Sequence, residues 1–533
     1  MNFISIRLPY RQTGYFSKTV IDYLDQLSSL KPFFSLPPSA QGIQQAIENR
    51  KKTNTNRQLL VEQLRKQYAG ITSYPAVQKN IEALLSSNCF TITTAHQPNL
   101  FTGPLYFIYK IVHAIKLAEH CRHLFPEYNF LPVFFMGSED ADFDELGHFY
   151  LNKEKHEWAT NQTGAFGRMK VDKQLMKLID GISGQLTVLP YGNEILQLIR
   201  DCYVEGETIQ QATFRLINAL FGDYGLLVLI SDNAELKKQM AKIFEDELLN
   251  ERAAGIVEET VRKLSDAGYK TQVNPREINL FYLKDNIRER IIRTKTGFAT
   301  HDLLFTFNDS ELLKDLQDHP EYFSPNVILR GLYQETILPN LVFIGGGGEL
   351  AYWIQLKELF QRYQTPFPVL VLRNSFLIIE SKWQEKITRL GFTAEDFFQT
   401  EEQLMNWLVA RESKNQIQLN GFFSEAIQFY EQLKKQAAAV DVTLAKHVEA
   451  LKTQSLARLQ QLEKKMLRAE KRKFTDQQRQ IHTIKENLFP KNGLQERIEN
   501  FMYYYAKWGR EFFKKLYDHS PALEQEFVVV AEF

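Results

Sequence analysis

The spacing of apolar positions changes several times along the chain, and each change marks an element. Residues 90–94 are short and β-branched, as strands are. After a polar loop ending at Gly103, Leu105, Ile108, Ile111, Val112, Ile115 and Ala118 recur at helical spacing up to His120. Pro104 suits the first turn of that helix, where its missing N–H is not needed. Residues 129–136 are a continuous apolar run, the signature of a strand covered on both faces. The same grammar resumes with a strand at 225–230, then a long helix expected to open at Asp232 with Glu235 in a capping box. A strand at 341–344, a turn at 345–348, a helix at 349–363 and a strand at 368–372 complete it. Strand–helix alternation predicts an α/β chain with a doubly wound, Rossmann-like parallel sheet.

Residues 1–89 read as mainly helical, with a proline-rich bend at 34–39. Two stretches, roughly 151–205 and 270–330, break the alternation and read as inserted connecting modules. Beyond Gly421 the period becomes heptad-like: Tyr430, Leu433, Ala437, Val440, Leu444 and Leu451, with His447 in one seam position. The register then slips by one residue and continues through Leu459, Leu462, Met466 and Ala469, and no Gly or Pro occurs from Phe422 to Phe489. This predicts an α-helical coiled-coil domain, as a hairpin or paired with a second chain; a long surface helix is the blander alternative. The expected partition is N-terminal helices and first core part (1–150), first insertion (151–205), core (206–269), second insertion (270–330), core completed (331–390), coiled coil (391–490), and a segment returning to the core (491–533).

Composition narrows the function classes. A chain of 533 residues suggests about three or four units. Sixty-four Lys and Arg balance 64 Asp and Glu, so bulk electrostatic binding of nucleic acid is not expected. The balance is local cancellation: residues 464–473 hold six basic side chains and one acid, whereas residues 139–145 hold five acids. Cys89, Cys121 and Cys202 are too few for a disulfide framework. The N-terminus lacks a signal-peptide core, and the longest apolar runs, 226–230 and 376–379, fall far below the ~18 residues of a membrane span. A cytoplasmic protein, with no membrane partner, is expected.

Three constellations could carry chemistry. His96-Gln97-Pro98-Asn99 through Thr102 and Gly103 lies in the turn after the first core strand, where open α/β sheets place ligands and helix-opening N–H groups favour anions. A capped, self-satisfied turn is the alternative. Ser138, Glu139, Asp140, Asp142, Asp144 and Glu145 follow the next strand. Asp140, Asp142 and Asp144 match three positions of a calcium loop, but Glu145 stands where it needs Gly and Leu151 where it needs Glu, which excludes an EF-hand. The cluster could bind an ammonium group, hold Mg²⁺ through waters, or simply complement a helix dipole. Gly345, Gly346, Gly347 and Gly348, followed by Glu349 and Tyr352, let a ligand approach backbone closely. The glycines match neither a dinucleotide fingerprint nor a P-loop. Arg330 and Gln334 upstream, and Arg373 and Ser375 past the last strand, fall on the same sheet edge, although Arg330 could equally serve an ion pair. No resident metal site is expected.

Taken together, T-T-A-H-Q-P-N-L-F-T-G-P-L-Y-F-I-Y-K at 93–110, the S-E-D-A-D-F-D-E stretch, G-G-G-G-E-L-A-Y-W-I-Q-L-K and Leu494-Gln495-Glu496-Arg497 resemble the bacillithiol biosynthesis cysteine-adding family, BshC, over nearly the whole chain. That family often has Gln at position 96 and G-G-P-G at 345–348. The resemblance implies a Rossmann-like core with two connecting insertions, a coiled coil used for homodimerisation, and ligation of L-cysteine to glucosaminyl malate. Amide formation from a free carboxylate needs activation, so ATP or another activated donor is expected, with Mg²⁺ a candidate companion. In that chemistry His96, Gln97 and the opening at Thr102 and Gly103 neutralise phosphate or orient a carboxylate. Glu139, Asp140 and Asp142 hold the amine, one of them acting as base, and Arg373 binds a malate carboxylate. The core is also similar to class I aminoacyl-tRNA synthetases, but H-Q-P-N stands where those have H-x-G-H, and no K-M-S-K-S-like loop is evident. A dimeric nucleotide-binding scaffold with a degenerate core is the alternative function.

Overall fold

The computed structural model describes residues 3–415 and 418–533, so the expected N-terminal and coiled-coil stretches are seen apart from residues 1, 2, 416 and 417. The chain forms two compact units, a larger one of Ser5–Leu377 with Gly493–Val530 and a smaller one built on Ile378–Asn492.

At the centre of the larger unit is a five-stranded parallel sheet, ordered Val369–Leu372, Asn340–Gly345, Cys89–His96, Asn129–Met136, Leu227–Ile230. All five are the expected strands, and their apolar runs are buried on both faces. Numbered along the chain, the order is 5-4-1-2-3, the Rossmann-like arrangement. Strand order reverses between Cys89–His96 and Asn340–Gly345, and ligands bind in the crevice at such a switch point. The register aligns the carboxyl ends: His96 pairs with Met136, Met136 with Ile230, and Gly345 with Leu372. Helix Tyr106–Leu124 is apolar almost all round and is buried accordingly. Its Ala114, Leu117 and Ala118 pack with Ile43 and Ile47 of helix Ala40–Lys51 against Phe90, Ile92 and Val342.

Between the second and third core strands lie the hairpin His148–Leu151/Glu154–Glu157 and helices Lys173–Leu186, Gly192–Cys202 and Ile209–Phe221. Between the third and fourth lies a second, antiparallel sheet: Thr306–Phe307, Gly297–Thr300, Ile287–Thr294, Leu280–Lys284, Phe323–Pro325.

Several expected elements differ. The stretch expected to be mainly helical opens with a strand, Phe3–Pro9. The helix expected from Asp232 is capped instead by Asn233, whose side chain accepts from Leu236 N at 3.0 Å, and its first piece, Ala234–Lys237, is short. Asp232 is unavailable as a cap because Arg168 grips both its oxygens, at 2.6 and 2.7 Å. The helix expected over 349–363 begins two residues earlier and is two pieces, Gly347–Trp353 and Lys357–Arg362.

In the smaller unit, helices Asn420–Val440 and Leu444–Lys471 form an intrachain antiparallel hairpin. Tyr430 bonds Ser455, Glu431 pairs with Lys452 and Lys434 with Glu449, partner numbers falling as the first rise. Tyr430, Leu433, Ala437, Leu459 and Met466 face inward as expected, but Val440, Leu444, His447, Leu451, Leu462 and Ala469 are exposed, and Val448 is buried in place of His447. The break at Asp441–Thr443 resets the helical phase, so a seam read straight through it lands one residue off.

Candidate active site

A cavity of about 590 Å³ opens at the switch point. His96 and Gln97 border it from the end of the first core strand, Glu139 and Asp140 from the end of the second, and Gly346, Gly347, Gly348, Glu349 and Tyr352 from the turn and helix after the fourth. Arg330 and Arg373 complete the expected lining residues. All three polar turns therefore meet in one place, because parallel strands in register put their carboxyl ends on one edge.

The remaining expected residues support the walls without lining the cavity. Asn99, Thr102, Ser138, Gln334 and Ser375 are buried, and Gly103 and Gly345 lie behind the turns. The anion cradle expected at Thr102 and Gly103 does not form. Thr102 N donates to Asn99 O and Gly103 N to Leu100 O, both at 2.9 Å, and Leu105 N to Glu499 O at 2.7 Å, so these donors are spent within the protein. Asn500 Nδ2 clamps the same turn through Phe101 O (2.9 Å) and Gly103 O (2.6 Å). Asp142 is exposed and caps helix Phe143–Leu146 by accepting from Glu145 N at 3.0 Å. That is the dipole role weighed above, not a cavity role.

On the acid wall, Asp140 accepts from Gln97 Nε2 at 3.0 Å and from Ala141 N at 2.7 Å. Glu139 is ion-paired with Lys237, a wholly buried side chain that also donates to Glu321 O at 3.1 Å. Burial holds the Glu139 carboxyl above the usual carboxylate range, with the Lys237 charge working the other way. His96 Nε2 lies 3.3 Å from Tyr106 Oη. Burial, then the Lys110 charge, holds the imidazole well below its ordinary pKa, so it is neutral and hydrogen-bonds without offsetting phosphate charge.

Opposite, Arg330 bonds the Tyr352 hydroxyl. Arg373 is 4% exposed, and its terminal nitrogens are already committed: one donates to Ser375 Oγ (3.0 Å) and Asn374 O (3.0 Å), the other to Glu496 Oε1 (2.7 Å). Burial opposes its charge, but Glu496 outweighs burial and the guanidinium is held above its usual pKa. The planar fork expected to take a substrate carboxylate therefore grips Glu496, leaving Nε as the donor without a partner.

Sequence reasoning missed Tyr106, Lys110 and Arg288 as lining residues and Lys237 behind the lining, whereas Glu145 of the expected acid cluster does line it. Lys110 had a readable signal, since Phe107 and Ala114, its neighbours one turn away on the helix, are apolar and buried. Arg288 comes from the antiparallel sheet and Arg497 from the returning C-terminal segment, and only the second was quoted above. Arg288, Arg330 and Arg497 make no carboxylate ion pair among the described residues.

Comparison with known proteins agrees with this architecture. Residues 1–374 match the family domain described as Bacillithiol biosynthesis BshC, N-terminal Rossmann-like domain, and residues 376–532 match Bacillithiol biosynthesis BshC, C-terminal coiled-coil domain. A protein of Flavobacterium psychrophilum named "Putative cysteine ligase BshC" is 39% identical over 526 residues, covering 98% of each chain. One of the same name from Flavobacterium johnsoniae is 38% identical, covering 98% of this chain and 99% of its own. One from Salinibacter ruber is 29% identical, covering 94% of each.

Proposed function

The chain belongs to the bacillithiol biosynthesis BshC family, and from that membership we propose that its cavity joins the carboxyl of L-cysteine to the amine of glucosaminyl malate. It is a ligase forming an amide carbon–nitrogen bond, and bacillithiol is the product. One observation carries the assignment of this reaction to this cavity: its lining combines the acids Glu139 and Asp140 with two guanidiniums, Arg330 and Arg497, that form no carboxylate ion pair among the described residues. Ammonium and dicarboxylate groups of the substrates are complementary to such a lining.

The cysteine carboxylate requires activation, by ATP or another activated donor. Among the described residues no three acidic, His or Cys side chains converge to hold a metal ion. Glu139 and Glu349 are moreover committed to lysines. Mg²⁺ is assigned as a companion of donor phosphates. Glu139 and Asp140 orient the attacking amine. Glu139, its carboxyl raised by burial, is the group assigned to take the amine's proton. Arg330 and Arg497 bind carboxylate or phosphate oxygens, and neutral His96 orients one through a hydrogen bond.

The smaller unit's hairpin exposes Phe422, Phe429 and Leu462, and these are assigned to a homodimer contact. Among the described residues no helix is long and apolar enough to cross a membrane. The compartment assigned is the cytoplasm. The test is product formation: purified protein with glucosaminyl malate, cysteine and ATP under reducing conditions, read by mass. Activated-cysteine donors are tried in parallel. Absence of the thiol product with every donor overturns the reading, and nucleotide binding without product would mark a scaffold instead.

A further inference from the structure

The two turns that flank the switch point are joined by one side chain. Lys110, on helix Tyr106–Leu124, is 2% exposed. Its Nζ donates to Ala95 O at 2.9 Å, at the carboxyl end of the first core strand and next to His96. The same Nζ is ion-paired with Glu349 on the other side of the crevice. Glu349 in turn accepts from Gly346 N at 2.8 Å, closing the first turn of helix Gly347–Trp353. A continuous chain, Ala95 carbonyl to Lys110 to Glu349 to Gly346, thus spans the cavity from the His96 turn to the glycine turn.

We propose that Lys110 is the positioning residue of this active site, fixing the His96 turn and the glycine turn relative to each other through Ala95 and Glu349. The inference rests on the ligase reading above and adds a residue that reading does not use. A buried ammonium held by one carbonyl and one carboxylate has little freedom, so both turns are set before substrate arrives. Replacing it leaves the Glu349 carboxylate to rotate away and the Ala95 carbonyl unpaired.

The Lys110 charge also adds to burial in keeping His96 neutral. The charged or titratable groups facing that imidazole are Lys110 and Tyr106 from helix Tyr106–Leu124 and Arg330 from helix Val327–Ile337. The Tyr106 hydroxyl is itself pushed up to about 12, by burial first, and stays neutral. The two cations act on the ring in the same direction, Lys110 the more strongly. Removing it raises the His96 pKa, because a positive neighbour disfavours the imidazolium.

The experiment uses full-length protein with Lys110→Met, Lys110→Arg and Glu349→Gln. Histidine resonances are followed by NMR between pH 5 and 8.5, His96 being identified by its loss in His96→Gln. The wild-type ring is expected not to titrate in that range. In Lys110→Met its midpoint moves up, so that the start of its titration shows at the acid end of the range, and in Lys110→Arg wild-type behaviour returns. In the mass-detected assay, Lys110→Met is expected to lower kcat at least thirtyfold while KM for glucosaminyl malate changes less than threefold. Glu349→Gln keeps a residue that can cap the helix and still loses at least fivefold in kcat, which tests the bridge even if Lys110→Met does not fold. An unmoved His96 in Lys110→Met, or kcat within twofold of wild type in either Lys110→Met or Glu349→Gln, overturns the proposal. Should the wild-type protein make no product, the ligase reading fails, whereas the His96 titration still decides the role of Lys110.

Discussion

The pair Arg373–Glu496 offers the sharpest separation between stability and function. Glu496 is wholly buried and accepts from Arg373 at 2.7 Å, Ser375 Oγ at 3.2 Å and Phe376 N at 3.3 Å. Glu496→Leu leaves a nearly buried guanidinium without its carboxylate, and Arg373→Met strands the carboxylate. Breaking a buried pair from one side costs about 3–5 kcal/mol, because the remaining charge keeps its desolvation penalty. The double variant removes both charges together, and replacing a buried pair by apolar side chains of similar size is often close to neutral. It is therefore expected to be more stable than either single variant, with a coupling of roughly 3 kcal/mol or more in its favour.

Urea unfolding measures this in a background where Trp383 and Trp407 are Phe, so that fluorescence reports Trp158, Trp353 and Trp508 of the larger unit. Midpoints are compared at equal m. The reasoning is refuted if the double variant loses the sum of the singles. Product formation divides the result again. The double variant is expected to stay at least a hundredfold below wild type despite its recovered stability, because the Arg373 Nε donor facing the cavity is gone.

Three further outcomes follow from the same geometry. His113 is wholly buried with Nε2 on Ala522 O (2.8 Å) and Nδ1 accepting from Asn374 N (3.1 Å), so it is held neutral, burial lowering its pKa to about 4. Between that value and the unfolded 6.5 only the unfolded chain binds the proton, so stability falls as pH drops through the window, by on the order of 3 kcal/mol; urea midpoints of His113→Gln should flatten there, and an unchanged slope rejects the assignment. Gly103 has φ 60 and ψ −135, and a Cβ there would stand 2.8 Å from Asn99 Cβ, whereas one at Gly348 meets nothing within 4 Å. Gly103→Ala should cost about 1–3 kcal/mol in urea unfolding and Gly348→Ala under about 0.5, and equal costs would contradict this contrast. Phe429 is 59% exposed on the hairpin, so Phe429→Glu should turn a dimer into a monomer in sedimentation equilibrium; a monomeric wild-type protein at micromolar concentration removes the proposed contact.

The parallel core was legible because its strands are apolar on both faces, and the run at residues 129–136 matches the strand Asn129–Met136 at both ends. Legibility stopped where a distant residue decides a local choice. Asp232 looks like a helix cap until Arg168 claims it. Arg373 looks free until Glu496, 123 positions away, occupies its fork. The strand Phe3–Pro9 had a local signal, Ile4, Ile6 and Leu8 alternating with Ser5 and Arg7, that the helical reading of residues 1–89 overrode. In the hairpin the heptad was real, but Asp441-Val442-Thr443 breaks the helix and a continuous seam cannot survive a break. Charge followed the same division. The acid cluster and the glycines were visible as local runs, whereas Lys110, Lys237 and Glu496 had no neighbours in sequence that announced their partners.

That distribution determines how the cavity must be dissected. Its lining acids Glu139 and Glu349 are held by lysines, and Arg373 by a glutamate, each partner coming from a different part of the chain. Truncating Lys237 or Glu496 exposes an unpaired buried charge and lowers activity as surely as truncating a group that touches substrate. Single alanine variants thus rank supports and chemistry alike. Pairs separate them: where a residue acts only by holding its partner, removing both costs little more than removing one, and where both touch substrate the losses accumulate. Arg330 and Arg497 stand apart, since neither forms a carboxylate ion pair among the described residues. Their loss should weaken substrate binding while leaving urea midpoints almost unmoved, the signature expected of side chains whose ion-pair partner is the substrate.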